Sequence, residues 1–161
     1  MKRYFYFLLP VLLFCMTSVI SAQEKPIQLS LFNPVQIFPE NTSIAGLRLN
    51  LIYGKNANVS GLDLGLVNYT TGNQAGIQLG GVNITNGDFK GWQWSWINVS
   101  HSNFLGLQMG LVNYHQGHFN GLQFSVVNYA ETMKGLQLGL INIIKEGGFL
   151  PFFIIFNFDF D

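Results

Sequence analysis

The chain has 161 residues, of which 48% are hydrophobic and only 10% are charged, with eight basic and eight acidic side chains. A chain with this balance has no basic patch that could neutralise phosphates, so we expect no nucleic-acid partner. The only cysteine, Cys15, lies within the first 22 residues, which we expect to be removed, so the processed chain has no disulfide and no thiolate metal site.

Residues 1–22 have the order of a secretory signal peptide. Lys2 and Arg3 precede an apolar run over 4–19, and the segment ends on small residues at Ala22. We predict cleavage after Ala22 and a single domain over 23–161. Cys15 is not preceded by the small residue that a lipoprotein cleavage site needs, which argues against a lipid anchor. The processed chain keeps six basic and eight acidic side chains.

A 15-residue repeat fills most of the remaining chain, over about 46–145, and Gly46 begins a degenerate first copy. Later copies follow the phrase Gly-apolar-Gln-apolar-Gly/Ser-x-Val/Ile-Asn. The glycines that open them are Gly61, Gly76, Gly91, Gly106, Gly121 and Gly135. The asparagines that close them are Asn68, Asn83, Asn98, Asn113, Asn128 and Asn142. A fixed period of this length indicates one supersecondary unit that is copied and stacked.

Apolar residues alternate strictly with small or polar residues inside each copy, as in Leu107, Met109 and Leu111 against Gln108 and Gly110. Period two is typical of a strand with one buried face. We therefore predict an all-β fold in which the leucine rows are buried and the glutamine rows face solvent. The segments 27–38 and 149–160 continue the alternation and predict flanking strands.

Two architectures fit this pattern. In a shallow up-and-down β-barrel or meander, each copy is one strand and one turn, and the apolar rows share an interior. In a parallel β-solenoid, each copy is one coil, and the asparagines stack into a ladder. We favour the barrel because the flanking segments share the alternation without the full motif, whereas the solenoid explains the constant period better.

The repeated glycines and asparagines have structural and functional interpretations. We interpret the glycines as sites of close backbone approach or strand bending, since the alternation rules out the helix that a phosphate loop needs. The asparagines are expected to cap strand ends by bonding turn backbone. A binding ring of amides is the alternative.

Trp92, Trp94 and Trp96 concentrate indole surface on one strand. They are expected to fill the core, and they are also the candidate contacts for an apolar ligand. His115 and His118 lie in one connection without a carboxylate or cysteine beside them, so we predict no metal site. No nucleophile or paired-carboxylate constellation is visible, so we expect no catalytic residues, no cofactor and no enzyme activity.

The phrases that begin at Gly61, Gly106 and Gly135, together with the phenylalanine-rich segment 148–158, resemble a family of bacterial surface repeat-containing proteins. That family is known from Leptospira and other Gram-negative bacteria and has no established activity. The inferred shallow barrel is also similar to the fold called the β-flower. The resemblance implies a location in the periplasm, outer membrane or cell surface, and it transfers no ligand residues.

We therefore predict a non-enzymatic exported protein of the cell envelope. Its expected role is a structural or interaction scaffold at the outer membrane or surface, with outer-membrane or envelope proteins as partners. The alternative is a binder or carrier of a lipid or other apolar ligand in a hydrophobic barrel interior.

Overall fold

The computed structural model describes residues 24–161, so the predicted signal peptide lies outside the described residues. This part of the chain consists of strands, turns and loops. Between Glu24 and Asp161 there is accordingly no helix that is long and apolar enough to cross a membrane.

Eleven strands follow one another along the described chain. They are β1 (Lys25–Phe32), β2 (Val35–Gln36), β3 (Ile44–Asn56), β4 (Val59–Thr70), β5 (Gln74–Thr85), β6 (Phe89–Trp94), β7 (Ile97–Ser100), β8 (Phe104–Met109), β9 (Val112–Phe124), β10 (Val127–Glu146) and β11 (Phe152–Asp159).

Strands of consecutive repeats pair in parallel, one repeat apart. Between β4 and β5, for example, Gly61 lies opposite Gly76 and Asn68 lies opposite Asn83. The repeats stack as a β-solenoid of about eight turns. The all-β repeat prediction is thus confirmed in its solenoid form. The favoured up-and-down barrel is not formed, because consecutive repeat strands run parallel and each residue pairs with its own counterpart.

Both ends of the stack carry an antiparallel strand. At the N-terminal end, β1 pairs in parallel with β3, and the short β2 folds back against β1. At the C-terminal end, β11 pairs antiparallel with β10. The repeat strands therefore do not end the stack on either side, and the parallel edges of β3 and β10 are covered.

The repeat glycine, counted here as position 1 of each coil, allows the coils to approach closely. These glycines have φ values between 110° and 146°, a region that other residues rarely adopt. A Cβ atom on Gly106 would collide with the carbonyl oxygen of Gly91 in the preceding coil. The glycines therefore form a column where backbone lies directly against backbone.

In the regular coils from Gly61 onward, positions 3, 8 and 10 point inward. Position 14 also points inward, and Met133 takes its place in the 14-residue coil that begins at Gly121. Position 14 supplies the aromatic part of the interior, in which the rings of Phe89, Phe104 and Phe119 stack with centroids 4.6 Å apart. Met133 and Ile144 continue this buried cluster towards the C-terminal end. Since the coil is only 15 residues long, its interior is thin, and the other inward positions are mainly polar.

Position 8 forms a continuous asparagine ladder. Each amide Nδ2 donates a hydrogen bond to Oδ1 of the asparagine in the next coil, at 2.7 to 3.1 Å. The ladder begins at Asn50, which lies at position 5 of the irregular first coil, opposite Gly65. It ends at Asn142, whose Nδ2 donates to the carbonyl oxygen of Gly139. Identical amides one strand spacing apart satisfy one another, as in other in-register parallel stacks.

Position 3 forms a second ladder that runs in the opposite direction. Each glutamine Nε2 donates to Oε1 of the glutamine in the preceding coil, at 2.7 to 2.8 Å. The last donor, Gln78, bonds to the carboxylate of Asp63 at 2.9 Å. Arg48 in the coil before it neutralises that carboxylate with two bonds of 2.7 and 2.6 Å. The row of glutamine donors thus ends on the carboxylate of Asp63, whose charge is paired with Arg48.

Candidate functional site

The repeated leucine rows lie on the outside of the solenoid, so the predicted burial of these rows is wrong. Leu111 is 54% exposed and Leu140 is 67% exposed, whereas Gln108 and Asn113 have no exposed surface. The inversion has a physical cause. Burying an amide is favourable only when its hydrogen bonds are satisfied, and in-register stacking satisfies them along both ladders except at the terminal oxygens, Asn50 Oδ1 and Gln137 Oε1.

The outward side chains of six consecutive coils form one uncharged surface, which we call the apolar edge. It consists of position 6 at the tip of the coil, positions 2 and 4 on one side of the tip, and positions 7 and 9 on the other. Positions 2 and 4 contribute Leu62, Ile77, Trp92, Leu107, Leu122, Leu136 and Leu64, Leu79, Trp94, Met109, Phe124, Leu138. Position 6 contributes Leu66, Trp96, Leu111, Val126 and Leu140, and in the second of the six coils it is the buried Gly81. Positions 7 and 9 contribute Val67, Val82, Ile97, Val112, Val127, Ile141 and Tyr69, Ile84, Val99, Tyr114, Tyr129, Ile143.

The three tryptophans lie together on the apolar edge rather than in a core. Trp92, Trp94 and Trp96 are 39%, 52% and 64% exposed, with Trp96 at the tip. The prediction that they fill the interior is therefore wrong. The interior at their coil is occupied by Phe89, Gln93 and Asn98 instead. The candidate ligand contacts are thus part of an open convex surface.

Polar groups lie along both borders of the apolar edge, interrupted by apolar residues. On one side, the hydroxyl groups of Tyr69 and Tyr114 accept hydrogen bonds from Asn86 and Gln116, at 2.8 and 2.9 Å. The tyrosines therefore turn their hydroxyl groups away from the tip. The exposed residues that directly precede the next repeat glycine mark the other boundary. Ser60, Lys90, Asn120 and Lys134 are polar, whereas Ala75 and Leu105 are apolar.

The turns at positions 11–13 form a polar edge opposite the tip. There Asp88 accepts hydrogen bonds from the backbone and side chain of Asn103 and from Ser102, and these bonds lower the pKa of its carboxyl group. His101 bonds to Gln116 in the next coil. Within residues 24–161, no group of three or more His, Cys, Asp or Glu side chains could hold a metal ion.

The two histidines that the sequence places in one connection are separated by the coil wall. His118 is exposed and bonds to Thr132, whereas His115 is fully buried at position 10. The His115 ring makes edge contacts with Phe104 and Phe119, at centroid distances of 6.0 and 5.4 Å. Burial lowers the pKa of His115 to about 4. Its two ring nitrogens have no hydrogen-bond partner among the described residues.

An aliphatic hollow lies beside the N-terminal part of the apolar edge. It has a volume of about 770 Å³, and one wall is formed by Val35 of β2 and by Ile37, which follows β2. Its aliphatic lining is completed by Leu29, Leu31, Leu49, Leu51, Leu64 and Leu66. This is the type of surface that an alkyl chain would fill.

The sequence pattern contained a signal for the true interior. Position 3 is Gln in five of the six regular coils, with Asp63 as the exception, whereas position 4 varies among Leu, Trp, Met and Phe. A position that must bond to its own counterpart tolerates little change. An outward position has no such constraint, so the less variable column is the buried one.

Comparison of the chain with protein-family models, with curated proteins and with solved structures gives no match.

Proposed function

We propose that the protein is a non-enzymatic scaffold of the bacterial cell envelope, exported by residues 1–22 and held at the outer membrane or surface through its apolar edge. The observation that carries the proposal is the uncharged surface formed by the twenty-nine side chains of the apolar edge. Contiguous apolar surfaces on soluble proteins are small, so a surface of this extent favours an attachment role.

The interior supports a scaffold role. Two amide ladders and the phenylalanine stack fill the coils, and the hydrogen bonds of each coil continue into the next. The buried Arg48–Asp63 pair is bonded to both its own and neighbouring coils. A filled interior also argues against the hydrophobic barrel cavity that the carrier alternative requires.

The resemblance to bacterial surface repeat-containing proteins agrees with this proposal. The repeat phrase and the leader both indicate an envelope protein, and neither indicates a substrate. The expected location is therefore the outer membrane or the cell surface, with the polar edge facing water.

Fractionation of a Gram-negative host that expresses the full chain tests the proposal. We expect the processed protein in the membrane fraction, and we expect a Leu66→Asp/Leu111→Asp/Leu140→Asp variant to move to the soluble periplasmic fraction. The matched control places the same charges on polar-edge residues that do not contact the border tyrosines, as Thr71→Asp/Asn73→Asp/His118→Asp. Recovery of the wild-type protein wholly in the soluble fraction would overturn the proposal.

The aliphatic hollow favours a second candidate function, the binding of a lipid or another apolar ligand. Such a ligand would lie against the outside of the coils rather than inside a barrel. Native mass spectrometry in the presence of a long-chain fatty acid tests it. The expected result is one bound molecule on the wild-type protein and none on a Leu29→Glu variant, and equal binding to both would reject the hollow.

A further inference from the structure

We infer that the apolar edge inserts into one leaflet of a lipid bilayer, with the solenoid axis parallel to the membrane plane. This inference rests on the proposed envelope attachment and names the lipid surface itself as the partner. Three features carry it: the shape of the edge, the groups that bound it and its depth.

The shape of the apolar edge fits a fluid surface better than a second folded protein. The tip at position 6 projects between two outward faces, so the surface is a convex wedge. It has no charged residue along six coils, and its only polar side-chain groups are the tyrosine hydroxyl groups at its border and the indole N–H groups of the three tryptophans. Specific protein interfaces place polar groups at fixed points, whereas lipid chains require only apolar contact.

The boundary residues have the arrangement expected at a membrane–water interface. Tyr69, Tyr114 and Tyr129 lie at position 9, and the first two bond to polar-edge side chains through their hydroxyl groups. Tyrosine is enriched at this depth because its ring is apolar and its hydroxyl group is hydrated. On the other side, Lys90 and Lys134 are exposed at the border and would face the headgroups.

The depth of the wedge matches one leaflet. The depth of the wedge is the length of strand between its tip and its borders. Position 9 is three residues from the tip and position 2 is four residues from it. At about 3.3 Å a residue, the depth is roughly 10 to 13 Å. The hydrocarbon core of a bilayer is about 30 Å thick, so the wedge would enter one leaflet without crossing to the other. With strands about 4.8 Å apart, six coils give an inserted strip roughly 25 Å long.

The net charge of the protein determines how strongly membrane binding depends on the charge of the lipid headgroups. The processed chain has six basic and eight acidic side chains, so attraction to anionic headgroups contributes little. We therefore expect binding to uncharged phosphatidylcholine, and we expect 1 M salt to change the partition coefficient by less than about twofold.

Tryptophan fluorescence offers a direct test because all three tryptophans lie on the apolar edge. The processed chain, purified from the host, is mixed with phosphatidylcholine vesicles and floated on a density gradient. We expect the protein to float, its emission to shift to the blue, and lipids brominated in the upper half of the acyl chains to quench it more than lipids brominated near the chain ends.

The charged-tip and charged-polar-edge variants serve as the matched pair. Each Asp at the tip is expected to weaken partitioning at least about tenfold, whereas Asp on the polar edge leaves it unchanged. Circular dichroism identifies a variant that has lost its β-structure. If a tip variant fails to fold, depth-dependent quenching of the wild-type protein still decides the inference.

Two results would overturn the inference. One is wild-type protein that stays at the bottom of the gradient with unchanged emission. The other is a stable dimer in sedimentation that does not bind vesicles, since the second copy then covers the edge. If the protein fractionates with cell membranes but ignores protein-free vesicles, the inference fails while the proposed envelope attachment stands.

Discussion

The Arg48–Asp63 pair is the residue-scale feature on which the glutamine ladder ends. Both side chains are fully buried, and the guanidinium group holds the carboxylate through two hydrogen bonds. Arg48 also donates to the carbonyl oxygen of Tyr69 and to the hydroxyl group of Thr70. Removing one partner from such a pair leaves an unpaired charge without water.

We expect Arg48→Gln to lower the free energy of unfolding by about 3 to 5 kcal/mol, because Asp63 keeps a buried charge. The double variant Arg48→Gln/Asp63→Gln is expected to recover most of this loss, because it extends the neutral ladder by two coils. Urea denaturation of the single and double variants measures both values. Losses that simply add would show that the pair does not act as the end of the ladder.

His115 gives the fold a dependence on acid. Its pKa is about 4 in the folded protein, mainly because burial disfavours the charged ring, and about 6.5 in an unfolded chain. Below pH 6.5 the unfolded state therefore binds more protons than the folded state. The destabilisation due to His115 therefore grows as the pH decreases from 6.5 to 4 and levels off below that range.

We expect the acid-dependent loss to reach roughly 3 kcal/mol, and a His115→Thr variant should lack it. Threonine is the matched replacement because Thr70 and Thr85 occupy the same position in earlier coils. Urea midpoints between pH 7 and pH 4 provide the comparison. An equal decline in both proteins would assign the effect to other groups.

At the scale of a single coil, the glycine column sets how closely neighbouring strands approach. Gly106 has a φ of 140°, and a side chain there would meet backbone, which has no alternative position. We expect Gly106→Ala to destabilise the protein by more than about 2 kcal/mol, measured by urea denaturation. The control is Leu105→Ala, the exposed neighbour, which should cost less than about 1 kcal/mol. A tolerated Gly106→Ala would contradict the close approach of the coils.

The strands themselves could be predicted from the repeat and its alternation, but the buried face could not be predicted from hydrophobicity. Period two shows only that a strand has two different faces. The usual assignment of the apolar face to the interior fails here because a 15-residue coil brings each Gln and Asn next to its own counterpart. Gly65 illustrates the constraint, since a Cβ there would meet the buried side chains of Asn50 and Asn68.

The direction of the strands was also ambiguous from sequence. Turns such as 71–73 suit a hairpin, yet they join parallel strands in successive coils. The deciding fact is long-range register, in which residues fifteen apart become neighbours. The constant period of the sequence indicated this parallel register. The flanking segments favoured the barrel instead, and in the structure they end the stack with antiparallel strands.

At the scale of the whole molecule, the solenoid has two unlike long edges. The turns at positions 11–13 are polar, and hydrogen bonds join them from coil to coil. The opposite tip, from Leu66 to Leu140, has no charged side chain, and its only polar side-chain group is the indole N–H of Trp96. The fold therefore separates its stabilising groups, which are inside and mainly polar, from its candidate attachment surface, which is outside and apolar. This separation allows tip residues to change without affecting the ladders.

Thiol accessibility tests the central claim, that the amide rows are inside and the leucine rows outside. Cys15 is the only cysteine and is expected to leave with the leader, so single-cysteine variants of the processed chain report on one position each. In the folded protein, we predict that Leu111→Cys reacts with a thiol reagent nearly as fast as in urea, while Asn113→Cys reacts only after unfolding. A protected thiol in the Leu111→Cys variant, together with a freely reactive thiol in the Asn113→Cys variant, would contradict the account.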